Sequence, residues 1–367
     1  SWHSARRIGR VDTPSFERDI VEECGTCHVN LYATYRESYH GQVNRLGHRR
    51  AARCADCHGA HDVRATSDAR SHLAAQNKLA TCQRCHAGAT ENFAKFMPHA
   101  DHRDSKRQPL LFGVWLYFMI LMTGTFSFFG LHSIFWWIRL WIERMRHGPP
   151  AHDNPDHARA FVRFQRIDRV THALVITSFM GLTLTGLPLK FSDQPWALFL
   201  SDALGGGNVA GILHRCFAAV MLAYVGIHVV VVGRWMVEQR QAGRRGWLFG
   251  PDSLLPRLKD AQDLAGMFRW FFGRGAMPRF DRWTYWEKFD YLADAAGTLI
   301  IGGSGMVLAF PIAASWLLPG WLFNVATIVH GYEALLAIGF IFTIHFFNAH
   351  LRLDKFPADT VIFTGQV

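Results

Sequence analysis

Six of the seven cysteines in this 367-residue chain belong to one repeated pattern near the N-terminus. The pattern is Cys-x-x-Cys-His, and its three copies are Cys24, Cys27 and His28; Cys54, Cys57 and His58; and Cys82, Cys85 and His86. In such a pentapeptide the two thiols bond covalently to a haem, and the histidine becomes an axial ligand of its iron. The three copies therefore predict three covalently attached c-type haems.

Two other uses of these cysteines compete with haem attachment. Paired Cys-x-x-Cys units can bind a structural zinc ion, but such a site needs no histidine after each second cysteine. A disulfide across two intervening residues would close a strained loop. The histidine that completes all three copies favours haem over both alternatives.

Each c-type haem iron can take a second axial ligand, and the N-terminal region holds seven further histidines. These are His3, His40, His48, His61, His72, His99 and His102. The segments around His40 (Ser-Tyr-His-Gly) and His61 (Cys-His-Gly-Ala-His-Asp) resemble those that supply distal ligands in small multihaem c-type cytochromes. His99, in Met-Pro-His, resembles the ligand that leads into a membrane helix. We expect these three to be the distal ligands, and His3, in the similar segment Ser-Trp-His-Ser, is a further candidate for one of these haems or for a haem bound upstream.

The composition of the chain changes near Pro109. Ten of the 20 histidines and six of the seven cysteines precede this residue, whereas long apolar stretches follow it. A hydrophobic share of 50% is too high for a disordered chain. We expect two domains, a polar haem-bearing head over residues 1–108 and a membrane domain over residues 109–367. This organisation excludes a uniformly soluble enzyme, and the mean hydropathy of +0.04 is an average over two unlike parts.

Five apolar stretches after the head are long enough to cross a membrane, which takes about 20 residues as an α-helix. They cover approximately residues 110–134, 170–191, 211–235, 291–314 and 321–347. The connection after the third stretch also contains apolar residues spaced mostly three or four apart, which predicts an amphipathic helix on the inner membrane surface or against a partner. Its apolar residues are Leu254, Leu258, Ala261, Leu264, Phe268, Phe271 and Phe272.

The connections between the stretches alternate in charge. Basic residues follow the first, third and fifth stretches, as at Arg144, Arg240 and Arg352, whereas residues 192–210 and 311–320 contain no Lys or Arg. The positive-inside rule places the basic connections in the cytoplasm and the head outside. We therefore expect a bacterial inner-membrane protein with a periplasmic head. This orientation agrees with c-type haem attachment, which resembles a process of the oxidising side of bacterial membranes. The formal charge of +10 then reflects topology rather than nucleic-acid binding.

Six histidines fall within or at the ends of these apolar stretches, where ionisable side chains are costly and usually functional. They are His132, His172, His214, His228, His330 and His345. The pairs 214/228 and 330/345 are separated by about four helical turns, so the members of each pair lie on roughly one helix face, about 21 to 23 Å apart along the axis. That offset fits one haem in each half of a bilayer core about 30 Å thick. One histidine alone could be a hydrogen-bonded core residue, but the matching depths predict an all-α bundle of five transmembrane helices around two b-type haems, with a mostly irregular or helical head.

The sequence around these histidines resembles a known family. The motifs are Arg-Val-Thr-His at 169–172 with a following Thr-Gly-Leu-Pro-Leu, Ile-Leu-His-Arg at 212–215, Ser-Gly-Met-Val-Leu-Ala-Phe at 304–310, and Val-His-Gly-Tyr-Glu-Ala with Ile-His-Phe-Phe-Asn-Ala-His. They are similar to the cytochrome b subunits of respiratory formate dehydrogenases and nickel-iron hydrogenases. The likeness covers about residues 164–357, and the remainder is similar to fused cytochrome b and multihaem c proteins of anaerobic respiratory chains.

The resemblance implies a ligand set for both b-type haems. It gives His214 with His330 for the outer haem and His172 with His345 for the inner haem. His228 departs from the family pattern, and helix geometry alone would also accept it as the partner of His345. Otherwise His228 and His132 are candidates for a quinone pocket or, less readily, a third b-type haem. Small residues that would let a porphyrin approach the backbone are Gly181, Gly186, Gly302, Gly303 and Gly305.

These cofactors predict electron transfer between the quinone pool and periplasmic redox partners, within a multisubunit complex. By family analogy a quinone would bind near the inner haem, by His172, His228 and Asp168, with Arg166 or Arg169 near its headgroup. An alternative function is a haem-bearing anchor subunit of a larger oxidoreductase whose catalytic subunit is a separate chain, because no molybdenum, nickel or flavin motif is visible. A haem-based sensor would need an open iron site or an output domain, and the sequence shows no output domain.

Overall fold

The structure is a computed structural model, and it describes residues 14–48, 50–148, 162–243, 246–354 and 359–366. This part of the chain is mostly helical. Within it the one β-type pairing is an isolated antiparallel bridge between Val162 and Gln366. The predicted all-α character is therefore confirmed.

The N-terminal region is built from short helices joined by turns. They are α1 (Pro14–Cys27), α2 (Val29–Glu37), α3 (Tyr39–Arg45), α4 (Cys54–His58) and α5 (Lys78–Gln83), with a 3-10 turn at Phe93–Lys95. Ser38 ends α2 and caps α3, because its hydroxyl accepts a hydrogen bond from the backbone N–H of Gly41 at 3.3 Å. Two of the Cys-x-x-Cys-His motifs lie at helix ends, and the motif at Cys54 forms α4.

Five helices are long and apolar enough to cross a membrane, as the sequence predicts. They are α6 (Pro109–His147), α7 (Arg166–Lys190), α9 (Gly207–Gln241), α11 (Tyr285–Ala309) and α13 (Trp321–Phe340, continued by π-helical turns to Leu351). The shorter helices of this region are α8 (Pro195–Ala203), α10 (Leu258–Phe271), α12 (Pro311–Ala314) and α14 (Val361–Thr364). Only 6% to 22% of the apolar window of each long helix is buried within the protein, which leaves most of its apolar surface for lipid or cofactor.

The start of α11 lies earlier than the predicted stretch at 291. Thr284 and Glu287 form a capping box, in which the backbone and hydroxyl of Thr284 hydrogen-bond the Glu287 carboxylate at 2.9 and 2.7 Å, and the Glu287 N–H donates to the Thr284 hydroxyl at 3.3 Å. This cap brings Tyr285 and Asp290 into the helix. Hydropathy alone misses both residues because polar side chains occupy the first turns.

The last span changes helix type close to a predicted ligand. Residues Ile341–His345 and Phe347–Leu351 form π-helical turns rather than α-helix. A π-turn holds one more residue than an α-turn and is frequent at functional sites. His345 is therefore rotated from the position that regular α-helical spacing from His330 predicts.

The amphipathic helix expected in the third connection is α10. Its Met267, Trp270 and Phe271 are buried in one cluster with Trp136 of α6, whereas Leu258 is exposed. Part of its apolar face is thus used within the protein, and its role at a membrane surface or against a partner stays a prediction.

The described residues pack as two compact units. The first contains the described residues up to Tyr117 together with Ser178–Ala219 and Gly302–Gly331, and the second contains the described parts of Phe118–Thr177, Val220–Ile301 and Tyr332–Val367. Each unit holds one pair of the intramembrane histidines expected to meet. The division of the chain at residue 108, which rests on composition, stays a prediction.

Candidate functional site

The cysteines of the three motifs converge in the head. The thiol of Cys54 hydrogen-bonds that of Cys24, and Cys57 lies within electrostatic range of Cys82 and Cys85. Burial, together with the neighbouring Cys24 thiol, raises the pKa of Cys54 to about 11. All six motif cysteines, like Cys216, are free thiols. Burial also raises the pKa of Cys57 and Cys82, so these two thiols and that of Cys54 are protonated near neutral pH.

Two of the three motif histidines face a second histidine. The ring centroids of His86 and His40 are 6.0 Å apart, and those of His58 and His99 are 6.3 Å apart. A metal–imidazole bond is about 2 Å long, so two imidazoles on opposite sides of one iron have ring centroids about 6 Å apart. Both pairs therefore fit one haem iron each, and both distal members are residues that the sequence singles out.

The hydrogen bonds of His99 fix which ring nitrogen can bind a metal. Its Nδ1 lies 3.1 Å from the carbonyl oxygen of Leu31 and 3.1 Å from the hydroxyl of Thr34. A carbonyl only accepts, so Nδ1 carries the proton and Nε2 carries the lone pair. The ring of His99 is thus held in the tautomer that a distal ligand needs.

Burial keeps four of the head histidines neutral. It lowers the pKa of His58, His86 and His99 below the ordinary value, and burial together with the nearby His86 lowers the pKa of His40 to about 4. Neutral imidazole is the form that binds a metal. These side chains are therefore in the ligating state at neutral pH.

The motif at Cys24 has no such pair among the residues that the structure describes. His28 lies within electrostatic range of His58, but no ring contact joins it to a second histidine. His61 is exposed on a bend, and its role as a ligand stays a prediction. His3 lies outside the described residues.

The remaining head histidines have other surroundings. His72 lies 3.5 Å from the carboxylate of Asp62, and His102 lies 3.6 Å from that of Glu37. His48 is half-buried after α3. None of these three forms a ring pair with a motif histidine in the described part of the chain.

The outer pair of intramembrane histidines meets in the first unit. The ring centroids of His214 on α9 and His330 on α13 are 6.2 Å apart. This is again the separation of two imidazoles on one iron. The structure therefore brings together the two residues that the family resemblance pairs for the outer haem.

A hydroxyl holds each ring of the outer pair by Nδ1. The Thr185 hydroxyl donates to the Gly181 carbonyl at 2.6 Å, so its oxygen can accept the Nδ1–H of His214 at 2.9 Å. The Ser304 hydroxyl lies 3.3 Å from Nδ1 of His330. Such contacts fix the tautomer and orientation of metal-binding histidines. Spans α7 and α11 thus supply the hydroxyl groups that hold the rings, and α9 and α13 supply the two histidines.

A glycine follows each of these two hydroxyl residues. A Cβ atom added at Gly186 would lie 3.1 Å from Cε1 of His214, and one added at Gly305 would lie 3.1 Å from Cε1 of His330. These glycines therefore make room for the imidazole rings, whereas the sequence interpretation gave that space to a porphyrin. Gly181 instead makes room for the ring of Phe217, which would lie 2.3 Å from an added Cβ.

The inner histidines belong to the second unit and have a different support. Nδ1 of His345 lies 2.7 Å from a carboxylate oxygen of Asp290. His172 lies within electrostatic range of His345, His350 and Asp290. Because the carboxylate accepts the Nδ1–H, Nε2 of His345 carries the lone pair and can bind a metal.

Two other histidines of the spans have Nε2 occupied by a tyrosine. Nε2 of His228 lies 2.9 Å from the hydroxyl of Tyr291, and Nε2 of His132 hydrogen-bonds the hydroxyl of Tyr285. In either tautomer of the histidine this contact engages Nε2, so an iron could bind that nitrogen only if the tyrosine contact were broken. The contact therefore favours His172 over His228 as the partner of His345.

The residues expected near a quinone headgroup have partners within the protein. Asp168 accepts a hydrogen bond from the backbone N–H of Gln165 at 2.9 Å. The Arg169 guanidinium donates to the carbonyls of Phe363 and Thr364 at 2.9 and 2.8 Å. Arg169 thus anchors the C-terminal segment.

Sequence reasoning missed the residues that contact the ring nitrogens of the intramembrane histidines, namely Thr185, Ser304, Asp290 and Tyr291. The rule that intramembrane ionisable groups are functional would have pointed to Asp290, had the start of α11 been placed correctly. Thr185 and Ser304 lie inside the family motifs, but their hydroxyls have no distinctive spacing. Only the packing of the spans identifies their role.

Within the described residues, no group of three or more His, Cys, Asp and Glu side chains is arranged to hold a metal ion directly. A porphyrin supplies the remaining ligands of a haem iron, so a pair of histidines is all that the protein must provide. The donor sets described above fit haem in this respect. Comparison of the chain with known protein families, curated proteins and solved structures gives no match.

Proposed function

We propose that this chain is a membrane-bound electron-transfer protein that connects the quinone pool with periplasmic redox partners through three c-type and two b-type haems. The proposal places it among proteins that resemble fused multihaem cytochrome c and dihaem cytochrome b. The head would face the periplasm and the spans would cross the bacterial inner membrane. The basic connections and the three haem-attachment motifs support that orientation.

The observation that carries the proposal is the outer histidine pair. His214 and His330 come from two different spans, and their ring centroids are 6.2 Å apart inside apolar helices. A structural hydrogen bond between two helices needs only one histidine, whereas a bis-histidine iron needs both at this separation. The Nδ1 contacts with Thr185 and Ser304 suit ligands of a buried iron.

Bound haem would supply reversible one-electron transfer, with a potential set by ligation, hydrogen bonding and burial. The residues that would hold the c-type haems are Cys24, Cys27, His28, Cys54, Cys57, His58, Cys82, Cys85 and His86, with His40 and His99 as distal ligands and His61 or His3 as the remaining candidates. The residues that would hold the b-type haems are His214, His330, His172 and His345. His228 and Tyr291 form a hydrogen-bonded pair that could exchange protons with a quinone bound near the inner haem.

The head and the outer end of α13 are joined by a specific contact within the first unit. The Asn324 side chain binds both the N–H and the carbonyl of Met97, at 3.2 and 2.9 Å. The ring of Phe93 lies 4.8 Å from that of His86 and 5.9 Å from that of Phe323. This packing holds the third motif close to the span that carries His330, as electron exchange between head and membrane requires.

The test is reduction of the purified full chain, in lipid vesicles, by a short-chain menaquinol. We expect the b-haem absorption bands and then the c-haem bands to be reduced. In His330→Ala we expect the outer b haem to be lost and reduction of the c haems to slow at least tenfold. His147→Ala changes an exposed histidine at the end of α6 and is the matched control. A wild-type protein that contains b haem but is not reduced by any quinol would overturn the proposal.

A further inference from the structure

The two pairs of intramembrane histidines differ in the charge that surrounds them. At the outer pair, both Nδ1 contacts are to neutral hydroxyls, and the Arg215 guanidinium lies within electrostatic range of His214. No carboxylate contacts His214 through any hydrogen bond or ion pair that the described residues make. His214 therefore combines a neutral hydrogen bond with a nearby positive charge.

The inner pair has negative neighbours instead. Asp290 binds Nδ1 of His345 at 2.7 Å, and Asp294, one helical turn further along α11, also lies within electrostatic range of His345. The groups within electrostatic range of His172 are His345, His350 and Asp290. A positive charge arises among these groups only when one of the histidines is protonated. Two carboxylates of one helix thus face the ligand that α13 supplies.

A carboxylate that accepts the Nδ1–H of a metal-bound histidine makes that ring a stronger electron donor. Stronger donation stabilises ferric over ferrous iron, and hydrogen bonding to the ligand is one of the means by which a protein sets a haem potential. A neighbouring negative charge acts in the same direction, because it favours the more positive oxidation state, and a positive charge acts in the opposite one. At these two sites the hydrogen bond and the nearby charge therefore reinforce each other.

We propose that Asp290 is a positioning residue that holds His345 in an electron-donating state and gives the inner b-type site a lower reduction potential than the outer site. The inference rests on the proposed function, because it requires b-type haems on these histidines. The inner site then has the weaker affinity for an electron, and the outer site, beside Arg215, has the stronger one.

The test is an optical redox titration of the b-haem bands in the purified full chain. We expect two components in the wild type. In Asp290→Asn, which keeps the size of the side chain, we expect the lower midpoint to rise by about 59 mV, which corresponds to a tenfold change for a one-electron couple. The higher midpoint should stay unchanged. Asp290→Glu restores the carboxylate and should return the lower midpoint towards the wild-type value.

Two further measurements make the outcome decisive. Asp202→Asn, on the exposed surface of α8, is the matched control and should move neither midpoint. The ferric low-spin EPR signal of one b haem should change in Asp290→Asn, since the electron donation of its ligand changes. Equal shifts of both midpoints, no shift, or a fall of the lower midpoint would overturn the inference. If Asp290→Asn loses one haem, the decision rests on Asp290→Glu, in which equal midpoints would overturn it and separate midpoints would support it.

The assignment of the lower component to the inner site has its own test. In His345→Ala we expect the lower-potential component to disappear and the higher one to remain. Survival of the lower component would overturn the inference and leave the proposed function intact. Absence of b haem from the wild-type protein would instead overturn the proposed function.

Discussion

The head and the membrane spans hold their histidines in different ways. In the head, the proximal histidine directly follows a cysteine pair, and short helices and turns bring a distal histidine to it, as with His86 and His40. In the spans, each ligand stands alone on a long helix, and its partner comes from another helix, as with His214 and His330. Chain connectivity therefore defines the first kind of site, and helix packing defines the second.

The difference shows where the identity of a ligand is encoded. A Cys-x-x-Cys-His motif identifies its histidine without reference to the rest of the fold. In the spans, six histidines are chemically equivalent in sequence, and the partner of the other ring nitrogen distinguishes them. His214 and His345 are held by Nδ1, whereas His228 and His132 are held by Nε2. The four predictions below test this contrast, from the largest expected effect to the smallest.

The largest effect is expected from removal of a span ligand. We expect His172→Gln to lose one b haem, because a site built for two histidine ligands then keeps only one of them. His228→Gln should keep both b haems, because Tyr291 already occupies Nε2 of His228. The measurement is the pyridine haemochrome content per polypeptide. If His228→Gln loses the haem and His172→Gln keeps it, the hydrogen-bond criterion fails.

Loss of a distal ligand in the head should have a smaller effect. In His40→Ala we expect all three c haems to remain, since the thiols hold them covalently. One of them should become able to bind carbon monoxide when reduced, because its sixth position opens. His48→Ala is the control and should leave the carbon monoxide difference spectrum unchanged. A missing c haem in His40→Ala would show that the distal ligand is needed for attachment itself.

The contact between the head and α13 should respond to a single added methyl group. A Cβ atom at Gly320 would lie 2.3 Å from the backbone nitrogen of Phe96 and 2.6 Å from the carbonyl oxygen of Phe93. We expect Gly320→Ala to destabilise this contact by about 1 to 3 kcal/mol, because backbone atoms must shift. The measurement is limited proteolysis of the head together with the thermal midpoint.

Gly113→Ala is the matched control for that substitution, since no atom lies within 4 Å of its added Cβ. Alanine has the higher helix propensity, so the control should be neutral or slightly stabilising. Equal behaviour of the two variants would contradict the packing described at residue 320.

The smallest effect is expected from loss of one supporting hydroxyl. Thr185→Val keeps the shape of the side chain and removes the hydrogen bond to His214, which we expect to cost about 1 kcal/mol. The outer b haem should remain bound but dissociate more readily on heating. Thr177→Val, whose hydroxyl bonds only the carbonyl of Ala173 on an exposed part of α7, should leave haem retention unchanged. An equal loss in both variants would remove the special role of Thr185.

Much of the fold follows from the sequence. The five spans are predicted because apolar stretches of that length have few alternatives, and their ends are less accurate where polar residues continue the helix. The segment after Ile134 remains helical because Trp136 is buried in the cluster with α10, and Arg139 pairs with Glu143 one turn later. The π-turns before His345 leave no trace in hydropathy, so their rotation of the helix is not predictable.

The site is predictable to the level of residue types. The spacing of the motifs predicts the covalent sites, and two of the three distal histidines expected from the sequence, His40 and His99, face a motif histidine. Helix geometry alone does not separate His172 from His228, because both lie at the same predicted depth, and only the family resemblance favours His172. The choice between them depends on whether a tyrosine of α11 reaches Nε2, which is a property of helix packing.

The central claim is that this chain binds both kinds of haem. The most direct measurement is a pyridine haemochrome spectrum of the purified wild-type protein, combined with metal analysis of the same sample. Three Cys-x-x-Cys-His motifs and two intramembrane histidine pairs predict three c-type and two b-type haems per polypeptide. Metal analysis should then find one iron for each haem and no zinc. A protein without b haem, or one in which zinc replaces the c-type haems, would contradict the account.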